Sequence, residues 1–441
     1  MNSLDSSSIP FQLLQLHHTA TVALALKSSR LFIMPFTIHL DNYKPCYFGN
    51  ETIYGRVTFE SSSITNLQDI RLSFTGRSKA RIQKVKGSGA PAANYRSKCI
   101  LFEKEKILVH LNGEALPPGR HEWPFQFSFP TTARSSVKWP ERLPFRSDAN
   151  HPLPPVFAIE AGDRARKVSC TIEYRIDAKA RKPQRGLISS TRPLFSEQVR
   201  LNFMPDFAVA EDCESDRAAE IYQQRKEQVF SIRSLLLLPE NKGRSLSKGE
   251  KIQGWFAPGQ LPRFSFTASF SYPTRVISST PVQSSLDITP HMEDSSVTSP
   301  PEVIMKSISI TAISRTAARA APSIMGAISA ELEDKIEILS QTSLHKPVSG
   351  KVDLGIEFGP LMLRHTDVSF QTFNICKRYF LSVSIVFVCA ERTNEFKLTE
   401  LPFEVVAKVE RSEKKNLASE LAEATEGAPP AYTYSEPLFS R

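Results

Sequence analysis

The sequence predicts an all-β protein built from two tandem β-sandwich domains and a C-terminal tail. Two observations carry this. Apolar residues recur at spacing two in many short runs, and proline or glycine separates the runs. With 31 prolines and 28 phenylalanines in 441 residues, such punctuated alternation is the signature of half-buried antiparallel strands joined by turns. The length provides for more than one core, and 41% hydrophobic against 23% charged residues is a globular composition.

The strands follow in order. Phe36, Ile38 and Leu40 alternate with Thr37, His39 and Asp41, and residues 42–49 read as a turn. Ile53, Gly55, Val57 and Phe59 form the next inward face, then Ile70, Leu72, Phe74 and Gly76. After a Gly/Ala/Pro-rich loop at 87–93, a strand is expected near 107–111. The turn Leu116-Pro-Pro-Gly119 leads into Trp123, Phe125, Phe127 and Phe129, four aromatics on one face. Val168, Cys170, Ile172, Tyr174 and Ile176 repeat the pattern. Residues 204–247 break it. Within them 218–229 (AAEIYQQRKEQV) are good helix formers, so this stretch reads as a linker with one helix. Strands resume around 252–256 and at Phe264, Phe266, Ala268 and Phe270. A polar loop is expected over 278–301, then strands at 308–312, 379–387 and 403–409. Glu331, Glu333 and Asp334 read as a solvated loop or short helix.

The expected organisation is therefore a disordered extension over 1–34, a first sandwich over 35–203, the linker 204–247, a second sandwich over 248–410 and a disordered tail over 411–441. Asp5 precedes and Lys27 follows the apolar part of the N-terminal segment, against the order of a secretion signal. Met34 stands directly before the first patterned strand. The tail residues 416–440 carry four acids and neither Lys nor Arg, which argues against a core there.

Composition also excludes classes of function. No GxSxG, HExxH or phosphate-binding glycine loop occurs, so no catalytic residue, metal ligand or cofactor is assigned. The six cysteines include no CxxC pair. Cys170 and Cys389 fall in apolar strand patterns, where a thiol acts as a small hydrophobe. A formal charge of +9 favours anionic partners, but without zinc-finger spacing or a basic helix nucleic acid is not among them. Two basic stretches stand out. Six cations and no acid lie between Arg71 and Lys86, and Arg71, Arg77, Lys79 and Arg81 share parity. Residues 161–186, with Lys179, Arg181 and Lys182, hold eight cations against three acids. These residues are the candidate surface for an acidic or phosphorylated protein tail, or for anionic lipid; a solvated strand face is the plainer alternative.

The sharpest motif is Pro429-Pro430-Ala431-Tyr432, a PPxY sequence. Paired prolines hold the chain in a polyproline II helix with little entropy left to lose. The rings fit an aromatic groove of a WW domain, and Tyr432 fills a second pocket.

Several segments resemble the arrestin family: PPGRHEWPFQFSFP at 117–130, LPPVF at 153–157 followed by SCTIEYRIDAKARK at 169–182, ISRTAARA at 313–320 and TFNICKRYFLSVSIVFVC at 372–389. Their order and spacing cover about residues 35–410. The resemblance implies two immunoglobulin-like arrestin β-sandwiches and no catalytic site. Leu235 to Leu238 precede Pro239 rather than an acid, so no clathrin box is found. With the PPxY tail, the resemblance is to alpha-arrestins. It implies a cytoplasmic adaptor recruited to plasma membrane and endosomes, which brings a WW-domain HECT-type ubiquitin ligase to the cytosolic tails of membrane transporters or receptors, for ubiquitin transfer and endocytosis. An ambient-pH-sensing signalling scaffold and a retromer-like sorting subunit are the alternatives.

Overall fold

The structure is a computed structural model. It describes residues 36–41, 43–84, 93–134, 139–148, 150–163, 166–183, 193–205, 222–241, 243–244, 246–247, 249, 258–323, 326–364 and 366–407. All of these fall within one compact unit, Phe36–Arg441. The expected extension, the tail with its PPxY motif, Cys213 and the strand expected at 252–256 lie outside the described residues.

The first lobe is built from β1 (Phe36–Leu40), β2 (Thr52–Ser61), β3 (Thr65–Asn66), β4 (Asp69–Lys84), β5 (Ala93–His110), β6 (Ala115–Leu116), β7 (Gly119–Ser128), β8 (Phe157–Gly162), β9 (Arg166–Arg181) and β10 (Phe195–Leu201). β1-β2-β7 form one sheet. β10-β9-β4-β5 form the second, with β8 paired to β9. The aromatic run of β7 supplies one wall of the core: Phe125, Phe127 and Phe129 are buried. Pro124 is accommodated because β7 is an edge strand, where a missing N–H breaks no inner ladder. Phe74 meets Phe102 and Phe129 edge-on, both at 4.8 Å between ring centres. Tyr174 is fully buried, and its hydroxyl donates to the Pro154 carbonyl at 2.6 Å. That bond satisfies the phenol and ties the LPPVF segment to β9.

The second lobe contains β11 (Gln223–Arg233), β12 (Arg263–Pro273), β13 (Arg275–Ile277), β14 (Ser285–His291), β15 (Ile304–Ser323), β16 (Gly326–Gln341), β17 (Lys346–Pro347), β18 (Gly350–Asp353), the short helix α1 (Leu354–Phe358), β19 (Phe370–Gln371), β20 (Ile375–Cys389) and β21 (Arg392–Val406). One sheet runs β11-β12-β14-β18. The other runs β13-β21-β20-β15-β16 and carries β17 and β19. On β20 every second residue from Tyr379 to Cys389 is buried, the strict alternation of a strand with one face on the core.

Three expectations are corrected here. The helix expected over 218–229 is strand β11 from Gln223 onward, paired residue by residue with β12. Its helix-forming composition is outweighed by the ladder and by burial of Phe230 and Ile232, since propensity is a weak prior against tertiary pairing. The loop expected over 278–301 contains β14, whose Leu286 and Ile288 are buried. Glu331, Glu333 and Asp334 belong to β16, where Glu333 lies opposite Arg315 of β15 and accepts from its Nε at 3.1 Å. A cross-strand ion pair of this kind holds acidic residues in a strand. The last strand also starts earlier than expected, at Arg392, and ends at Val406.

The two lobes share a core. Ala318, Ala320, Phe370, Phe373 and Ile375 of the second lobe belong to the apolar cluster that fills the first, and Phe157 packs edge-on against Phe370 at 5.1 Å. Polar contacts cross the same boundary. Ser97 Oγ donates to the Arg319 carbonyl at 2.8 Å, Asn374 Nδ2 donates to Ser97 Oγ at 3.0 Å, and Ser78 Oγ donates to Asn374 Oδ1.

Candidate functional site

The basic stretches come together on one sheet face. β4 lies between β5 and β9, with Arg71 opposite Lys179, Arg77 opposite Glu173 and Arg81 opposite Ser169. Leu72, Phe74, Ala80 and Ile82 point into the core, so Arg71, Arg77, Lys79 and Arg81 lie on the outer side with Lys179 and Arg181. β5 adds Arg96 and Lys98, opposite Arg81 and Lys79. Sequence reading missed these two because they lie on the next strand, and strand pairing alone brings them into the patch.

Charge on this face is unevenly free. Arg77 is bonded to Glu173 and its side chain is only 12% exposed; Lys79 binds the same carboxylate. Burial pushes the Glu173 carboxyl up, but the bonds from Lys79 and Arg77 outweigh it and leave the group below the usual range. Asp69 accepts from Arg181 Nε at 2.7 Å and from Arg71 Nε at 3.3 Å, and Arg181 Nη2 reaches its second oxygen. Arg71, Arg77 and Arg181 are thus held by carboxylates of the face itself. Arg81, Arg96, Lys98, Lys179 and Lys182 are exposed and form no ion pair among the described residues.

The Asp69 cluster gives a pH-dependent expectation. The Arg181 hydrogen bond, reinforced by Arg71, holds the Asp69 carboxyl below its ordinary value. A carboxyl lowered on folding contributes stability that is fully present above its unfolded pKa and is lost as pH falls through the folded value. Asp69→Asn is expected to cost about 2 kcal/mol at neutral pH, discounted for the half-exposed arginines. The gap to wild type should close in acid. Urea melts across that range check this, and a constant gap would contradict it.

Between the lobes lies a group that sequence reading did not single out. Arg319, in the middle of the ISRTAARA run, is 3% exposed. Among the described residues its guanidinium donates only to backbone carbonyls: Phe373, Pro140 at 2.8 Å and Arg146 at 3.3 Å. Trp139 and Phe145 lie against it at 4.9 and 4.8 Å from the ring centres. Burial, aided by Arg142, lowers its pKa to about 10, so it remains charged at neutral pH. One side chain of the second lobe thus closes the 139–146 segment of the first. Its signal in the sequence was a lone arginine among alanines in an apolar strand.

The buried cysteines behave as hydrophobes. Desolvation pushes the Cys170 and Cys376 thiols up to about 12 and Cys389 up to about 11, far from the thiolate that a nucleophile requires.

Two β-sandwich lobes sharing a core match an arrestin-type β-sandwich fold. Residues 36–200 match the family Arrestin (or S-antigen), N-terminal domain. Over 100 residues the chain is 32% identical to Arrestin domain-containing protein 4 of Mus musculus, a stretch covering 21% of this chain and 24% of that protein. The family match thus falls on the first lobe, and the aligned stretch spans about a quarter of the length of that relative.

Proposed function

We propose that this chain is an alpha-arrestin adaptor that recruits a HECT-type ubiquitin ligase to membrane cargo, without catalytic chemistry of its own. The observation that carries this reading is Pro429-Pro430-Ala431-Tyr432 on the same chain as an arrestin body. The motif is the ligase handle, and the body is the cargo reader. A single short peptide of this kind binds in the micromolar range, so clustering of cargo strengthens the assembly through avidity. Affinity purification of the full chain tests the reading: a WW-domain ligase should dominate. Enrichment of a pH-sensor receptor, or of coat subunits, in its place would move the assignment to a signalling scaffold or a sorting subunit.

Cargo recognition is assigned to the outer face of β5-β4-β9. The residues to test are the unpaired cations rather than Arg77, whose reversal would also break its bond to Glu173. Arg81→Glu with Lys98→Glu should weaken binding to acidic cargo tails or anionic vesicles about tenfold or more at low salt, since screening is then least. Melting should barely change, because exposed charges contribute little to stability. Equal binding of wild type and double variant in a co-sedimentation assay would return this face to a solvated surface.

A further inference from the structure

A cleft of about 650 Å³ opens between the lobes, away from the basic sheet face. Arg146 and His151 line it from the first lobe, and Arg275, Lys377 and Arg378 from the second. Glu404 also lines it but bonds Arg275 at 3.3 Å, and Lys377 has Asp367 at 3.6 Å. Arg146 and Arg378 form no ion pair among the described residues. The Nε of Arg378 is buried without a hydrogen-bond partner. Among the described residues two carboxylates therefore answer four lining cations, and Arg146 and Arg378 are left without an acidic partner in a partly enclosed space, an arrangement that costs desolvation.

His151 adds a second, independent observation. It is 2% exposed. Its Nδ1 lies 3.0 Å from the Asp148 carbonyl, which can only accept, so Nδ1 carries the proton. Nε2 is then left with no partner. Burial lowers the pKa of this ring, so it is neutral when the cleft is empty. Nε2 accepts from a P–OH group in that state, and once protonated it donates to an anionic oxygen.

We propose that this interlobe cleft is a binding site for a phosphorylated small molecule. The volume is that of a small-molecule site. Guanidinium groups match phosphate oxygens in geometry and charge. Leu153, Phe370 and Phe403 supply an apolar wall for the body of the ligand. A planar membrane does not fit this space: Lys377, one of the lining cations, is only 6% exposed.

Calorimetry of the full chain with sodium tripolyphosphate tests the proposal. Saturable binding is expected in wild type. Arg378→Gln removes an unpaired cation. Gln371→Glu adds an opposing charge at an exposed position on the rim, so the fold is retained. Each should weaken binding about tenfold or more, a change of ~1.4 kcal/mol. Arg81→Glu with Lys98→Glu, on the sheet face, should leave it unchanged. Thermal melts confirm folding of each variant. Absence of saturable binding in wild type overturns the proposal. So does unchanged affinity in Gln371→Glu, or a loss confined to the sheet-face variant. A parallel arm uses vesicles containing phosphatidic acid. Arg378-dependent vesicle binding without a response to free tripolyphosphate would assign the phosphate to a lipid headgroup and overturn the soluble-ligand proposal.

Discussion

Replacing Arg319 by Ala is expected to destabilise the protein by roughly 3 kcal/mol, the scale of losing charge-assisted hydrogen bonds in a buried site. The guanidinium satisfies the carbonyls of Phe373, Pro140 and Arg146 at once. In the alanine variant these acceptors lose a donor and Trp139 and Phe145 lose their packing partner. Arg319→Lys should not restore stability, because a point ammonium cannot reproduce a planar fork directed at several carbonyls and stacked between rings. The loss should be constant through the neutral range. A base whose pKa falls to about 10 on folding is charged in both states below that value, and its titration affects stability only as pH rises through it. The local signature is faster amide exchange across 139–146, where the Arg146 N–H bonds the Thr372 carbonyl at 3.0 Å. Wild-type melting and exchange in Arg319→Ala would show that the Arg319 side chain does not help to join the lobes.

Tyr432→Ala is expected to stop ubiquitylation of this protein and of its cargo in cells. The reason is geometric: ubiquitin transfer requires the ligase to be held near its acceptor, and loss of the tyrosine ring empties the second pocket of the WW groove. Pro430→Ala should act in the same direction by loosening the polyproline segment. The arrestin body should melt as in wild type, since no part of residues 36–407 is altered. Ubiquitin-remnant proteomics with the two variants reads the effect and names the cargo. Undiminished remnants on the cargo in Tyr432→Ala cells would mean that the ligase arrives by another route.

Much of the fold was legible from alternation alone. Phe125, Phe127 and Phe129, the Val168 to Ile176 run and the Tyr379 to Phe387 run are buried at the spacing read from the sequence, because each belongs to a strand with one wet and one dry face. Two of the three errors fell where a strand's outer face is long, charged and helix-forming. β11 and β16 are both edge strands of their sheets. There charged side chains protect an exposed ladder, and the same residues favour helix in isolation. The site was less legible than the fold. Parity placed Arg71, Arg77, Lys79 and Arg81 on one side of β4, but it could not show that Glu173 and Asp69 hold three of them. Nor could it bring Arg96 and Lys98 alongside. Arg319, His151 and Arg378 acquire meaning only through contacts between the lobes, over separations in sequence that no local pattern records.

An adaptor role requires Pro429-Pro430-Ala431-Tyr432 to be a working ligase handle. Calorimetry of a peptide spanning residues 422–438 against a panel of WW domains tests it most directly. Micromolar binding to at least one WW domain of a HECT-type ligase is expected, abolished by Tyr432→Ala. A wild-type peptide that binds none of them, or a variant that binds equally well, would contradict the adaptor reading and leave an arrestin-fold scaffold without a ligase.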